Sequence, residues 1–275
     1  MSLIKNPTRQ TDRHVDAVLA ALDVLDCFLS VPSMTTKQLI DRTGFTRNRV
    51  MRLTGTLLHR GYLIQDEELG TYRPGPKIGL LNKEFEPGQG IALLARPILK
   101  QIAMKTGEFA SMYIREGLER VVLVREEGTQ AVRYTVAEGQ RLELHTGASG
   151  KVLLAYAPKE VLEALLSSSS LVKRTPQTIT DSAELQRELE KIRRQGFAES
   201  TGERVADAGA VATPVFDSKG DLVGTLSITG PVSRFTPETR KSYIKIASDA
   251  AIKLSEQLGW RRERAKEKAT NHTIR

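Results

Sequence analysis

Along the first third of the 275-residue chain, apolar positions recur every three or four residues. Val15, Val18, Leu19, Leu22, Leu25 and Leu29 form such a series between Asp12 and Ser30, which predicts a first helix ended by Pro32 and Ser33. SMTTKQLIDRT predicts a second, capped by Thr35 or Thr36, with Leu39 and Ile40 facing inward. Gly44 follows, Phe45 can plug the angle between two helices, and Thr46 is the expected N-cap of a third helix, TRNRVMRLTGTLLHR, which ends at Gly61. Two helices joined by a short glycine-containing turn make a helix-turn-helix pattern. YLIQDEELGTYRPG adds two strands, 62–65 and 71–73, about an acidic turn, so the pattern is winged.

Pro74, Pro76 and Gly79 close the wing, and LNKEFEPGQG has the composition of a loop, which places a domain boundary near Pro87–Gly90. IALLARPILKQIAMKTG reads as a linker helix that Pro97 interrupts or restarts. Beyond Gly107 the period drops to two: ASMYIREG, ERVVLVREE and AVRYTVAEG predict strands between glycine turns. Helices are expected at about 149–157 and 158–166, then a loop of four serines, 167–170, then the helix DSAELQRELEKIRRQG ended by Gly196. The strands AGAVATPVFD and LVGTLSITG follow. A last helix is capped by Thr236 with Pro237 in its first turn and carries the stripe Ile244, Ala247, Ala251, Leu254 and Leu258. Antiparallel strands with helices on a face make the fold class α+β.

Charge gives this outline a partner. The net charge is +8, and between Arg42 and Gln65 there are five arginines and no acid. On the third helix Val50, Leu53 and Leu57 share one side; Asn48, Met51, Arg52 and Gly55 share the other, flanked by Arg47 and Arg49. Cations gathered at a helix N-terminus oppose the helix dipole, and a phosphate-bearing partner removes that penalty. Such helices enter the major groove N-terminus first, where Arg pairs with guanine and Asn with adenine. The candidate contacts to duplex DNA are Thr46, Arg47, Asn48, Arg49, Met51 and Arg52, with Tyr72 and Arg73 from the wing. The acidic wing tip, Asp66 to Glu68, is expected to point away from the duplex.

Other chemistry is sparse. GASGK has neither the spacing of a hydrolase elbow nor that of a phosphate-binding P-loop. His14, His59, His145 and His272 are isolated, so no metal site, cofactor or catalytic role is expected. The single cysteine, Cys27, fits a reducing cytoplasm, and no apolar run approaches a membrane span. The last sixteen residues carry six basic side chains against two acids and read as a solvated tail.

Taken in order, ALDVLDCFL, LIDRTGFTRNRVMRLTGTLLHRGYL, YRPGPKIGLL, HTGASGKVLLAYAP and GFAESTGERVADAGAVATPVFDSKGDLVGTLSITGPVSRFT resemble the IclR family of bacterial transcriptional regulators over nearly the whole chain. The resemblance implies a winged helix-turn-helix DNA-binding domain at 10–86, a linker helix at 87–106, a GAF-like effector-binding domain at 107–259 and a basic tail at 260–275. It implies a homodimer, or a tetramer built as a dimer of dimers, on palindromic double-stranded operator DNA. Control of catabolic genes by a small organic or aromatic acid is implied as well. The loop entering VLLAYA, with free N–H groups at a helix N-terminus suited to a carboxylate, borders the effector pocket in the family. Gly147, Ala148, Ser149 and Gly150 are therefore its candidate contacts. Ser200 and Ala210 fall where relatives place a loop acceptor and a strand contact, sometimes an acid or a cysteine; Ser227 and Thr229 share one face of the last strand. Effector binding at 147–150 is expected to change operator affinity through the helix at 90–106. The alternative is a ligand-sensing interaction module without DNA binding.

Overall fold

A computed structural model describes residues 14–29, 31–84, 87–131, 134, 136–167 and 171–261. The basic stretch 262–275, the start of the expected first helix at 12–13 and Ser168 to Ser170 lie outside these residues. The chain divides into two compact units, 1–86 and 87–275.

In the first unit, α1 (Asp16–Asp26) runs into a 3-10 turn, Cys27–Leu29. Helix α2 (Thr36–Thr43) begins with a reciprocal cap: Gln38 N–H donates to Thr35 Oγ1 at 3.3 Å and Thr35 N–H donates to Gln38 Oε1 at 2.8 Å. It ends at Gly44, whose φ of 69° is the left-handed value that a side chain would resist. After Thr46 comes α3 (Arg47–His59). The strands β1 (Met34–Thr35), β2 (Leu63–Asp66) and β3 (Thr71–Pro74) pair antiparallel in the order β1-β3-β2, so the wing holds one strand more than the hairpin read from sequence. Val24, Phe28, Leu39, Val50, Leu57 and Leu63 fill the core between helices and wing.

Helix α1 departs from its expected role. Ala20 and Val24 are its buried residues, whereas Val18, Leu19 and Leu22 of the periodic series are 55%, 44% and 50% exposed. Periodicity identifies a helix without saying which side its own unit covers.

The segment read as a loop before Pro87 contains α4 (Pro76–Glu84), and α5 (Pro87–Thr106) starts where the boundary was placed. Both prolines stand in first turns, where the missing N–H has no intrahelical acceptor to lose. Helix α5 also continues through Pro97, which lies on its exposed side. The opposite side is fixed by burial of Ala95, Ile98, Leu99, Ile102 and Ala103. The expected linker is thus a core helix of the second unit.

That unit is one antiparallel sheet in the order β6-β5-β4-β9-β8-β7. Its strands are β4 (Phe109–Glu116), β5 (Glu119–Glu126), β6 (Arg141–Glu143), β7 (Ala198–Thr201), β8 (Ala208–Phe216) and β9 (Leu222–Pro231). The strand expected over AVRYTVAEG is not formed by its described residues; Gly139 and Gln140 bond back to Val122, and pairing with β5 begins at Arg141. Strand β7 had no separate signal, being four residues long. Helices α5 and α9 (Pro237–Gln257) cover one face of the sheet. On the other face lie α6 (Gly147–Ala155), α7 (Lys159–Ser167) and α8 (Ser182–Gln195). From Ala148 to Ala155 every residue of α6 is buried, so this helix is enclosed on all sides.

Candidate functional site

Two features carry chemistry, one in each unit. On α3, Val50 and Leu57 anchor the helix, while Thr46, Arg47, Asn48, Arg49, Met51 and Arg52 are all exposed. Thr46 Oγ1 accepts the Arg49 N–H at 3.4 Å as N-cap, so its hydroxyl is committed to the helix start. The Arg49 guanidinium lies 4.3 Å from the Phe45 ring centre, a cation-π contact that orients it at the turn. Arg42, the first arginine of the acid-free run, is structural instead: its Nη1 donates to the Cys27 carbonyl at 2.8 Å.

The wing separates its two candidates. Arg73 is exposed, but Tyr72 is 3% exposed within the core, its hydroxyl 4.0 Å from Met51 Sδ. Alternation along β3 requires this, because neighbouring residues face opposite sides and the unit needs a large apolar group on the inner one. Tyr72 is therefore a packing residue and is withdrawn as a DNA contact. At the wing tip, Asp66 Oδ1 accepts the Leu69 N–H at 3.1 Å, so this acid serves the turn.

In the second unit a cavity of about 520 Å³, counting its open mouth, lies on the α6 face of the sheet. Its floor is set by strand register: Phe109 pairs with Thr229, Thr229 with Ala210 and Ala210 with Ser200, one level across four strands. Gly147, Ala148 and Ser149 wall it from the first turn of α6. Of the eight residues proposed from sequence, six line the cavity and two do not. Ser227 sits one level further along, opposite Ser111 and Ala212, where its hydroxyl donates to the Val211 carbonyl at 3.0 Å. Gly150 is packed behind: a Cβ there would meet Arg120 Nη1 at 2.2 Å and the Leu144 carbonyl oxygen at 2.4 Å.

Sequence reasoning missed the rings and cations of this cavity. Phe109, Tyr113, Tyr134, Val136, Leu142 and Val205 give it an apolar lining, and Arg120 and Arg204 give it charge. Arg120 donates from Nη1 to the Thr146 carbonyl and lies over the Tyr113 ring at 5.4 Å. The available signal was an arginine at an inward position of β5, on the side of Val122. Burial lowers the Arg120 pKa to about 10, since a desolvated cation is disfavoured, though it remains protonated at neutral pH.

The N-terminus of α6 is already partly occupied. Gly147 N–H donates to Glu203 Oε2 at 2.9 Å, and the other carboxylate oxygen takes Lys151 Nζ at 2.5 Å. Lys151, 2% exposed, also donates to Glu188 at 3.2 Å and to the Glu199 carbonyl at 3.0 Å, so this lysine is a brace beneath the loop. Next to the loop, His145 is buried with Nε2 at 3.0 Å from the Val172 carbonyl; burial pushes its pKa below the ordinary imidazole value, and the ring is neutral.

A winged helix with a cationic exposed helix, joined to a sheet domain with an open-mouthed cavity lined by two arginines, matches known proteins. The family model described as bacterial transcriptional regulator IclR C-terminal matches residues 87–256, and that of the IclR helix-turn-helix domain matches 17–67. The chain belongs to the IclR family. This IclR-type transcriptional regulator is 30% identical to the HTH-type transcriptional regulator BhcR of Paracoccus denitrificans (strain Pd 1222), over 90% of the chain and 87% of that protein. It is 30% identical to the HTH-type transcriptional repressor AllR of Klebsiella pneumoniae, over 76% of each. Among solved structures, a Silicibacter sp. TM1040 protein classed as an IclR transcriptional regulator aligns with a TM-score of 0.79 and 28% identity, covering 89% of this chain and 96% of that one. No helix among the described residues is long and apolar enough to cross a membrane.

Proposed function

We propose that this regulator reads a palindromic operator with Arg47, Asn48, Arg49, Met51 and Arg52, positioned by Thr46 and flanked by Arg73. It acts in the cytoplasm as a repressor of catabolic genes, released or engaged by a small acid in the cavity of its second unit. The observation that carries the reading is the exposed first turn and a half of α3, three arginines and one asparagine with no carboxylate in the segment. Phosphates and base edges are the partners that such a surface lacks in the free protein. Gly147, Ala148, Ser149, Ser200, Ala210 and Thr229 are the proposed effector contacts, with Gly150 and Ser227 supporting them from behind. A homodimer, or a dimer of dimers, follows from two-fold operators, and the uncovered apolar stripe of α1 suits a second copy.

The test is fluorescence anisotropy on fragments of the chain's own upstream region. Asn48→Ala should relax sequence preference at one position, and loss of a phosphate contact such as Arg47→Ala should lower the logarithmic salt slope by about 1. Unchanged affinity, preference and salt slope in both variants would remove the operator reading. The same titration with and without a saturating small acid tests the effector reading, which identical constants would sink.

A further inference from the structure

We infer that Arg120 is the anion receptor of the cavity, the side chain that separates a carboxylate effector from its neutral isostere. The inference rests on the effector reading of the cavity and narrows it to one residue. Arg120 is 4% exposed. Its company is the Thr146 carbonyl and the Tyr113 ring, and its Nε is buried with no acceptor. The other cations nearby each have a carboxylate within ion-pair distance: Arg174 pairs with Glu143, Lys151 pairs with Glu203 and Glu188, and Arg204 Nε lies 3.7 Å from Glu143 Oε2, too far for a hydrogen bond. Among the described residues no carboxylate reaches ion-pair distance of Arg120. A buried cation compensated by a carbonyl, a ring and the carboxylates of Glu143 and Glu203 beyond ion-pair distance is unfavourable, and the fold keeps it there by leaving Gly150 without a side chain.

The missing counter-ion has a place to sit. Arg120 lines the cavity beside the first turn of α6, where Thr146 provides no side-chain cap and its own hydroxyl is buried without a partner. Gly147 N–H is taken by Glu203, which leaves the amides of Ala148 and Ser149 at the positive end of the helix. A cation without an ion-pair partner calls for an anionic group on the ligand. Away from it, Phe109, Val136, Leu142 and Val205 give the ligand an apolar wall, while Tyr134, Ser200 and Thr229 line the cavity with polar groups.

Full-length protein, titrated with benzoate and its neutral isostere benzamide by calorimetry and thermal shift, tests this. Benzoate should bind about 10- to 100-fold more tightly than benzamide, the range for a hydrogen-bonded charge. Arg120→Met should lose that preference, and Arg120→Lys should restore part of it. Equal affinity for benzoate and benzamide, or undiminished benzoate binding by Arg120→Met, overturns the receptor and leaves the cavity as an effector site. Binding of neither probe to the wild type overturns both. Should Arg120→Met fail to fold, the wild-type pair of titrations and Arg120→Lys still decide.

Discussion

The arginines of α3 and the arginine at the floor of the cavity are the same side chain under opposite conditions. Arg47, Arg49 and Arg52 stand in water at a helix start, whereas Arg120 is enclosed between a backbone carbonyl and a tyrosine ring. In water a guanidinium is solvated and screened, so its binding energy comes largely from releasing counter-ions, and it varies with salt. Inside the fold, solvation has been lost before any ligand arrives, so the cation discriminates sharply between an anion and a neutral group. The two proposed sites would thus differ in kind: a salt-dependent surface for a polyanion and a salt-insensitive receptor for a small anion.

The buried side of this contrast should be the more fragile to disturb. Glu203→Leu leaves the Gly147 N–H unpaired and Lys151 with only Glu188 and the Glu199 carbonyl, and removing one partner of a buried ion pair costs about 3–5 kcal/mol. Urea unfolding of the variant should show that loss, and Lys151→Met in the same chain should return most of it. An isolated loss under 1 kcal/mol, on the order of a surface pair, would place Lys151 in solvent instead. Next, Arg52→Ala should weaken operator binding by about 1–3 kcal/mol with stability unchanged. A comparable fall in stability would mean that Arg52 is part of the core, erasing the contrast.

Gly150→Ala sharpens the comparison from within. The new methyl group would overlap Arg120 and the Leu144 carbonyl, so about 1–3 kcal/mol of stability should be lost to overpacking, and benzoate selectivity with it. Retained selectivity would show that Arg120 can be moved without consequence. The smallest effect concerns His145. Its folded pKa lies below the unfolded value because burial disfavours the charged ring, so the unfolded chain takes up the proton first. Its contribution is therefore intact above about pH 6.5 and declines as pH falls, by at most about 1.4 kcal/mol per pH unit. His145→Asn should flatten that part of the stability profile; an unchanged slope would assign it to other groups.

How far residues alone reveal this protein differs between its two halves. Local rules sufficed for α2 and α3, because a capping box, a glycine in the left-handed region and a one-sided apolar pattern are written within a dozen residues. They also pointed to 147–150, since glycines ahead of an apolar helix are a local feature, but read as a loop what is the first turn of α6. They failed for α4, whose Pro76 opens a helix with no buried residue among its described side chains, and for the unbroken course of α5, where burial on one side overrides Pro97. They mistook Tyr72 for a groove contact, because strand alternation leaves open which side its unit will cover.

From its sequence by itself the chain determined a cationic reading helix, the family it belongs to, and the loop that borders its cavity. Each depends on residues near one another along the chain or on a motif order that survives divergence. Only the tertiary structure decided that Arg120, Glu203 and Thr229 belong to one place, that Lys151 braces the loop, and that Ser227 lies one level away. Those relations come from register across four strands and from residues up to 120 positions apart, from Phe109 to Thr229, meeting across a sheet. Pairing energies between distant segments set them, and no local preference encodes a distance of that kind.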